Sequence, residues 1–444
     1  MQTKALRQVT DGVIWKQLLS YFFPILLGTL FQQMYNTVDT IVVGRFVGTE
    51  ALAAVGSTSA LISLVTGFFV GLSTGATVLL SQFYGAGDLE GSKKVLHNGL
   101  LLAVFMGVAV MTLGLLGCRQ ILQWMNTPEN CMENSLRYGH IYFLGAISST
   151  VYNMGAGILR AMGDSKRPTI FLMITCVLNI AGDLLFVLVF HMGIGGVALA
   201  TVLSQTISAV LVLIVLLRLP QEIAFRPGRL RLNAKLLGKI LAVGIPAGLQ
   251  MTTFDLAGTL IQSSINSFGD VTVAAWTAYC KTDFITWMIS GAFGVSITTF
   301  VGQNYGAGKL DRVKRSVWIC MGMSVALVGL LSLIELLLRT QILGIYSTDP
   351  EVVRLAAHLM LLTVPFNFLF MPVEIFAGAL RGAGRSVTPM VVMLLCVCLY
   401  RVVWVLTVVR WFHHIELLAI CYPISWVLAS LALWIAYLFW TKRQ

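Results

Sequence analysis

At 444 residues, 57% hydrophobic and only 11% charged, with a mean hydropathy of +0.84, the chain carries more apolar side chain than a water-soluble domain could cover. Its net charge of +11 raises the question of nucleic acid, but the basic residues lie in short clusters between apolar spans. That pattern reads as membrane topology, not as a basic face for a polyanion, and the chain is expected to be an all-α polytopic membrane protein.

A basic lead, Lys4, Arg7 and Lys16, runs straight into a span too long for the core of a signal peptide, with no cleavage site behind it. The first span is therefore expected to remain as an anchor. Twelve transmembrane helices are predicted, at 18–46, 51–82, 94–117, 134–159, 169–190, 195–217, 238–267, 271–302, 313–338, 352–380, 388–411 and 415–440. If the N-terminus is cytoplasmic, most of the 30 Lys and Arg fall on inside segments, among them Lys93, Lys94, Arg160, Lys166, Arg226, Arg231, Lys309, Arg312 and Arg381. The positive-inside rule then places both termini in the cytoplasm.

The longest polar connection, 219–236, falls at the middle of the chain and is expected to be a cytoplasmic linker between lobes at 1–218 and 237–444. A repeat stands on either side of it. FYGAGDLEGSKK at 83–94 returns as NYGAGKLDRVKR at 304–315, and LRAMGDSKRP at 159–168 returns as LRGAGRSVTP at 380–389, both at an offset of 221 residues. Six spans per repeat is an even number, so two pseudo-symmetric six-helix lobes enter the membrane in the same sense. The cleft between them is where cargo is expected. The Gly-rich loops hold no GxxxxGK[ST] or GxGxxG and read as tight turns in which glycine supplies unusual backbone angles. Without a nucleotide site, transport would draw on an ion gradient.

Polar residues inside the spans carry the functional reading. Asp39 interrupts an apolar segment, where a carboxylate costs roughly 2.5–3.5 kcal/mol on insertion scales. Asp39 and Asp183 each precede the outer end of their span by seven residues, so both lie about 10 Å below that boundary. Asn179 shares a helix face with Asp183, and Thr201 falls at a similar depth on the next span. Such an oxygen-rich set suits a hard monovalent cation or a shared proton, Na+ or H+. Arg45, Arg137 and His140 are the basic residues available to neutralise it, and none is deep.

The second half holds Asp255, Lys281, Asp283, Glu374 and Arg401, three acidic and two basic, so much of that charge can pair internally, and structural ion pairs compete evenly with a substrate role. Glu335 and Arg339, four apart near a helix end, read as a local pair. At the offset of 221, Tyr400 and Trp404 stand where Asn179 and Asp183 stand, so the second repeat lacks the ion ligands. Tyr35, Asn153, Asp255, Glu374 and Arg401 are expected along the substrate path, and Pro24 and Pro246, nearly repeat-equivalent, as places where a helix bends. Met251, Trp276, Trp287, Met288 and Phe366 suit either a pliable pocket for aromatic cations or simple core packing.

Eight cysteines sit mostly singly in apolar runs, as small buried hydrophobes; Cys396 and Cys398 lack the second pair and histidines of a zinc site. Cys118 and Cys131 flank one predicted external loop, which leaves a disulfide as an open alternative.

With twelve spans in two lobes, the Pro24 to Asp39 pattern, the paired YGAG and LRxxG loops, and Asn179, Asp183 and Thr201, the chain resembles the multidrug and toxic compound extrusion (MATE) family, in its bacterial branch. The resemblance implies a secondary transporter, not an enzyme, in the bacterial inner membrane. It would exchange Na+ or H+ for amphipathic, often cationic compounds by alternating access between lobes. It further implies that Asp39, Asn179, Asp183 and Thr201 match the family's cation site, with no cofactor beyond the coupling ion, no nucleic acid and a monomer as the working unit. The rival from another class is a flippase of lipid-linked oligosaccharide or lipid in the same superfamily, whose anionic cargo calls for arginines where the first half here offers acids. A third, a non-transporting membrane scaffold, has little reason to keep paired intramembrane acids.

Overall fold

The computed structural model describes residues 9–444 except 126, 230 and 231, with the side chains of 60, 64 and 229 also left aside. Lys4, Arg7 and Arg231, counted above among the inside basic residues, lie outside the described residues. Every regular element among those described is helical.

The helices are α1 (Ile14–Val42), α2 (Thr49–Gly85), α3 (Leu89–Trp124), α4 (Glu129–Leu144), α5 (Ala146–Ala161), α6 (Lys166–Leu184) and α7 (Ile194–Leu217) in the first half. The second half has α8 (Ala234–Asn266), α9 (Asp270–Gly306), α10 (Leu310–Leu337), α11 (Arg339–Tyr346), α12 (Pro350–Thr363), α13 (Met371–Gly382), α14 (Val387–Met393), α15 (Tyr400–Trp404), α16 (Arg410–Phe412) and α17 (Ile415–Lys442). Eleven helical stretches of the described chain are long and apolar enough to cross a membrane. The expected fourth span is divided at Gly145 into α4 and α5, each of 16 residues, which completes the twelve.

Several spans change helical pitch part-way. Five-residue π-helical turns follow α1 (Val43–Val47) and α6 (Leu185–Val189), and another, Val405–Val409, joins α15 to α16. The last of these lies one residue from the repeat equivalent of Leu185–Val189, so the backbone irregularity has been kept where the acids have not. Between α12 and α13 the chain tightens into a 3-10 stretch, Val364–Phe370, at Pro365. Proline lacks the N–H that an α-helix needs there.

The glycine turns follow the repeat as expected. Gly87 and Gly308 have φ of 76° and 72°, and Gly163 and Gly384 have 95° and 82°. A side chain at φ near +75° crowds the following carbonyl. Gly308→Ala is thus expected to lower stability by about 1 kcal/mol, read as a fall in melting temperature without loss of the folded peak in size-exclusion chromatography. The loops differ in one respect: Asp88 Oδ1 caps α3 by accepting from the Gly91 N–H at 2.7 Å, a cap that Lys309 at the equivalent position does not provide.

By packing, Phe23–Gly248 form one compact unit, and Leu249–Gln444 with Gly12–Phe22 form another. These bounds differ from a division at the polar linker. The linker marks where the chain becomes hydrophilic, whereas the units divide where helix contacts change partner, within two residues of Pro24 and of Pro246. The start of α1 is held in the second unit by Arg312, which donates to Gly12 O at 2.8 Å and to Gln17 Oε1 at 2.6 Å, and by Phe22 stacked on Phe293 at 4.2 Å. The start of α8 is held in the first unit against α2, through Gly71, Gly75, Gly244 and Gly248. Linker residues are pinned to α3 as well: the Arg226 N–H donates to His97 Nε2 at 3.0 Å and the Asn233 N–H to Asn98 Oδ1 at 2.8 Å.

Candidate functional site

Asp39, on α1, and Asn179 and Asp183, on α6, meet Thr201 of α7 inside the first unit. All four are buried, with exposures of 5%, 0%, 0% and 3%. The Thr201 hydroxyl lies within 3.3 Å of Asp39 Oδ2 and within 3.1 Å of its own helix's Val197 carbonyl, and it accepts from Asn179 Nδ2 at 3.3 Å. The Asp183 carboxyl faces that of Asp39. What the cluster leaves over is oxygen: Asp39 Oδ1, Asn179 Oδ1 and both Asp183 oxygens have no hydrogen-bond partner. Among the described residues no Lys, Arg or His forms an ion pair with either acid; Arg45, Arg137 and His140 do not reach them.

Local structure explains the convergence. Asn179 and Asp183 are one turn apart and so share the face of α6 that packs on α7. The π-helical turns begin just beyond Asp39 and Asp183, and such a turn re-aims the residues around it. Near Pro24 the Thr169 hydroxyl donates to the Pro24 carbonyl at 2.6 Å, tying α1 to α6 below the site.

One helical turn along from the cluster the same three helices line a cavity of about 70 Å³. Tyr35 precedes Asp39 by four residues, Thr175 precedes Asn179 by four, and Gln205 follows Thr201 by four; all three line it, with Gln32, Tyr142 and Asn153. Thr175 and Ser208 are hydrogen-bonded at its edge. A space of this size admits water molecules or an ion, whereas pockets for drug-sized ligands run to about 300–1,000 Å³. Gln32, Tyr142 and Gln205 were not singled out by sequence; Gln205, one turn after Thr201, and Gln32, two turns before Asp39, carried a signal in that spacing, whereas Tyr142, on α4, carried none.

The second-half residues are not brought together. Asp255 is exposed, and Arg401 is buried with its Nε on Ser425 Oγ at 2.9 Å and its guanidinium 3.9 Å over the Tyr422 ring. Glu374 pairs with Arg381, the arginine of the LRxxG loop, at 3.6 Å. Of the two readings left open for this half, internal pairing holds only for Glu374: Asp255, Lys281, Asp283 and Arg401 form no ion pair among the described residues. Nor do Glu335 and Arg339 pair, since Arg339 Nη1 donates to the Leu336 carbonyl at 2.7 Å and Glu335 turns into the bundle. Trp276 and Met288 are core residues, while Met251 and Phe366 are 43% and 41% exposed. Cys118 and Cys131 are both buried free thiols, which removes the disulfide.

The family model MatE matches this chain twice, over residues 24–185 and 246–406, one match per repeat. The chain belongs to the MatE family. It is a multi-pass membrane transporter, not an enzyme. The probable multidrug resistance protein YoeA of Bacillus subtilis (strain 168) is 30% identical over 97% of this chain and 95% of its own length. A protein named FAD transporter, from Shewanella oneidensis, is 25% identical over 85% of this chain and 84% of its own. A solved MATE structure in complex with MaL6 superposes with a TM-score of 0.91 at 20% identity, covering 100% of this chain and 99% of the other, which establishes the shared fold.

Proposed function

We propose that this MatE protein is a secondary active efflux transporter that exports amphipathic, cationic compounds by alternating access, in exchange for Na+ or H+ bound at Asp39, Asn179, Asp183 and Thr201. One observation carries this reading: in one buried cluster four side-chain oxygens, belonging to two acids and an amide, accept no hydrogen bond, and no basic side chain among the described residues pairs with the acids. Uncompensated buried charge is not tolerated, so a small cation or a proton must complete the set. The cavity at Tyr35 and Asn153 would then serve as the hydrated approach to the ion site, and Pro24 and Pro246 as the points where α1 and α8 flex. Both termini are read as cytoplasmic from the distribution of basic residues.

The test is efflux by purified protein in proteoliposomes under an imposed Na+ gradient, pH gradient or membrane potential, each alone. A one-for-one exchange of monovalent ion for monovalent cargo is electrically silent, whereas a second coupling charge adds about 2.3 kcal/mol per 100 mV. Uphill movement of a fluorescent lipophilic cation under one gradient supports the reading; movement unaffected by any gradient overturns it. Because one relative is named for FAD, that dinucleotide belongs in the cargo panel beside the cations.

A further inference from the structure

A second buried acid cluster lies wholly in the unit that contains Leu249–Gln444. Asp283, on α9, is 2% exposed, and each of its oxygens is met by a side-chain N–H: Asn367 Nδ2 at 2.7 Å to Oδ1 and Trp287 Nε1 at 2.8 Å to Oδ2. Asn367 belongs to the 3-10 stretch that follows α12, so the change of pitch at Pro365 is what supplies a donor here. Glu335, on α10, is 3% exposed, and no N–H donor or basic side chain among the described residues meets either of its oxygens. The hydroxyl of Thr286, one turn from Asp283 on α9, lies beside both carboxyl groups.

Among the described residues no countercharge pairs with either acid. Tyr279 and Cys280 of α9 and Tyr422 of α17 face Asp283. Arg401 stacks on Tyr422 and donates through Nε to Ser425, and it forms no ion pair among the described residues. Arg339 is turned to a backbone carbonyl, and Lys281 is exposed.

The two acids are therefore provided for differently. Two N–H donors hold Asp283 as a carboxylate, since hydrogen bonds to the charged form favour it. Glu335 meets no N–H donor and no basic side chain, only the neutral Thr286 hydroxyl, and a buried carboxyl in that position costs least as the neutral acid. The donors also argue against a metal ion: Na+ requires oxygen ligands, whereas Trp287 offers only an N–H and Asn367 turns its NH₂ end toward the acid. We propose that Glu335 is a proton-binding site of this transporter, with Asp283 as the fixed neighbouring charge and Thr286 as the hydroxyl between them. It is separate from the Asp39–Asp183 cluster and independent of which ion that cluster takes. Its proton leaves as H+ when the O–H bond breaks, and it returns in the same form, so no oxidant or co-reactant is needed.

The experiment is infrared difference spectroscopy of reconstituted full-length protein between neutral and alkaline pH, above the range in which ordinary carboxyls titrate, in the Asp39→Asn/Asp183→Asn background, which silences the first cluster. The expected result is one remaining protonated-carboxyl band that disappears as pH rises and shifts when glutamate is carbon-13 labelled. Adding Glu335→Gln removes that band; Glu335→Asp keeps a titrating band that no longer responds to glutamate labelling. Size-exclusion profiles verify folding, and where the glutamine variant does not fold, the aspartate variant decides alone. The proposal is overturned if the band is absent, persists in Glu335→Gln, fails to titrate, or is abolished by Na+ at constant pH. None of these readouts uses transport, so their failure leaves the efflux reading standing, and failure of efflux leaves this one.

Discussion

Asp183→Asn removes gradient-driven efflux from proteoliposomes while leaving equilibrium binding of a fluorescent lipophilic cation in place. Asp183 is fully buried and both its oxygens are unpartnered, so a bound ion would be the main thing its charge has to meet. Removing one member of a buried charge pair costs about 3–5 kcal/mol, and each 1.4 kcal/mol is tenfold, so cation affinity should fall on the order of a hundredfold or more. Asparagine keeps the shape, and the packing of α6 on α7 should survive. Thr201→Val is the graded comparison: it deletes one neutral hydroxyl, worth about 1 kcal/mol, and should cost roughly fivefold in the half-saturating cation concentration. Coupled efflux by Asp183→Asn at the wild-type rate would remove the cluster from the mechanism. Equal effects from the two substitutions would show that charge is not what the site supplies.

Gly75→Val is expected to prevent accumulation of folded protein, for reasons of packing alone. Gly71 and Gly75 on α2 meet Gly244 and Gly248 on α8, each pair four residues apart, so two GxxxG faces are pressed together. A β-carbon at Gly75 would stand 2.2 Å from the Ile240 carbonyl oxygen and 2.8 Å from the Gly244 nitrogen. At Gly71 it would stand 2.5 Å from Gly248 Cα, and at Gly244 2.5 Å from the Leu72 oxygen. All of these neighbours are backbone, and no rotamer change can relieve them. Overpacking a close contact costs about 1–3 kcal/mol and sometimes more, and here whole helices have to separate. Gly322→Val on α10, where a β-carbon meets nothing within 4 Å, is the control. Thermal melts followed by size-exclusion chromatography distinguish the two, and comparable melting temperatures would mean that the α2–α8 contact is looser than drawn.

Much of the architecture was legible because it is written locally. Apolar run length is a property of consecutive residues, and the expected spans agree with the helices to within a few residues at most ends. Repeated turns need glycine at the same backbone angle in both halves, so Gly87 with Gly308 and Gly163 with Gly384 were readable from the offset. Asp39, Asn179, Asp183 and Thr201 were readable for another reason: depth can be counted along a helix, and three helices of known sense carry equal depths to one level. What could not be counted was which side each helix turns to its neighbours. Arg401 and Asp283 look like partners in a list of deep charges, yet Arg401 stacks on Tyr422 and Asp283 takes donors from Asn367 and Trp287.

The residue string alone determined that this is a twice-repeated bundle of membrane helices with acids lodged in its first half, because hydropathy, repeat offset and depth are all one-dimensional quantities. Tertiary structure decided the rest. It showed that α1 and α8 pass from one packed unit to the other beside their prolines, that Glu374 is paired with Arg381 while Glu335 has no basic partner among the described residues, and that four oxygens of the first-unit cluster accept no hydrogen bond. Those facts depend on the rotation of each helix about its own axis. Packing against neighbours sets that rotation, and spacing along the chain does not.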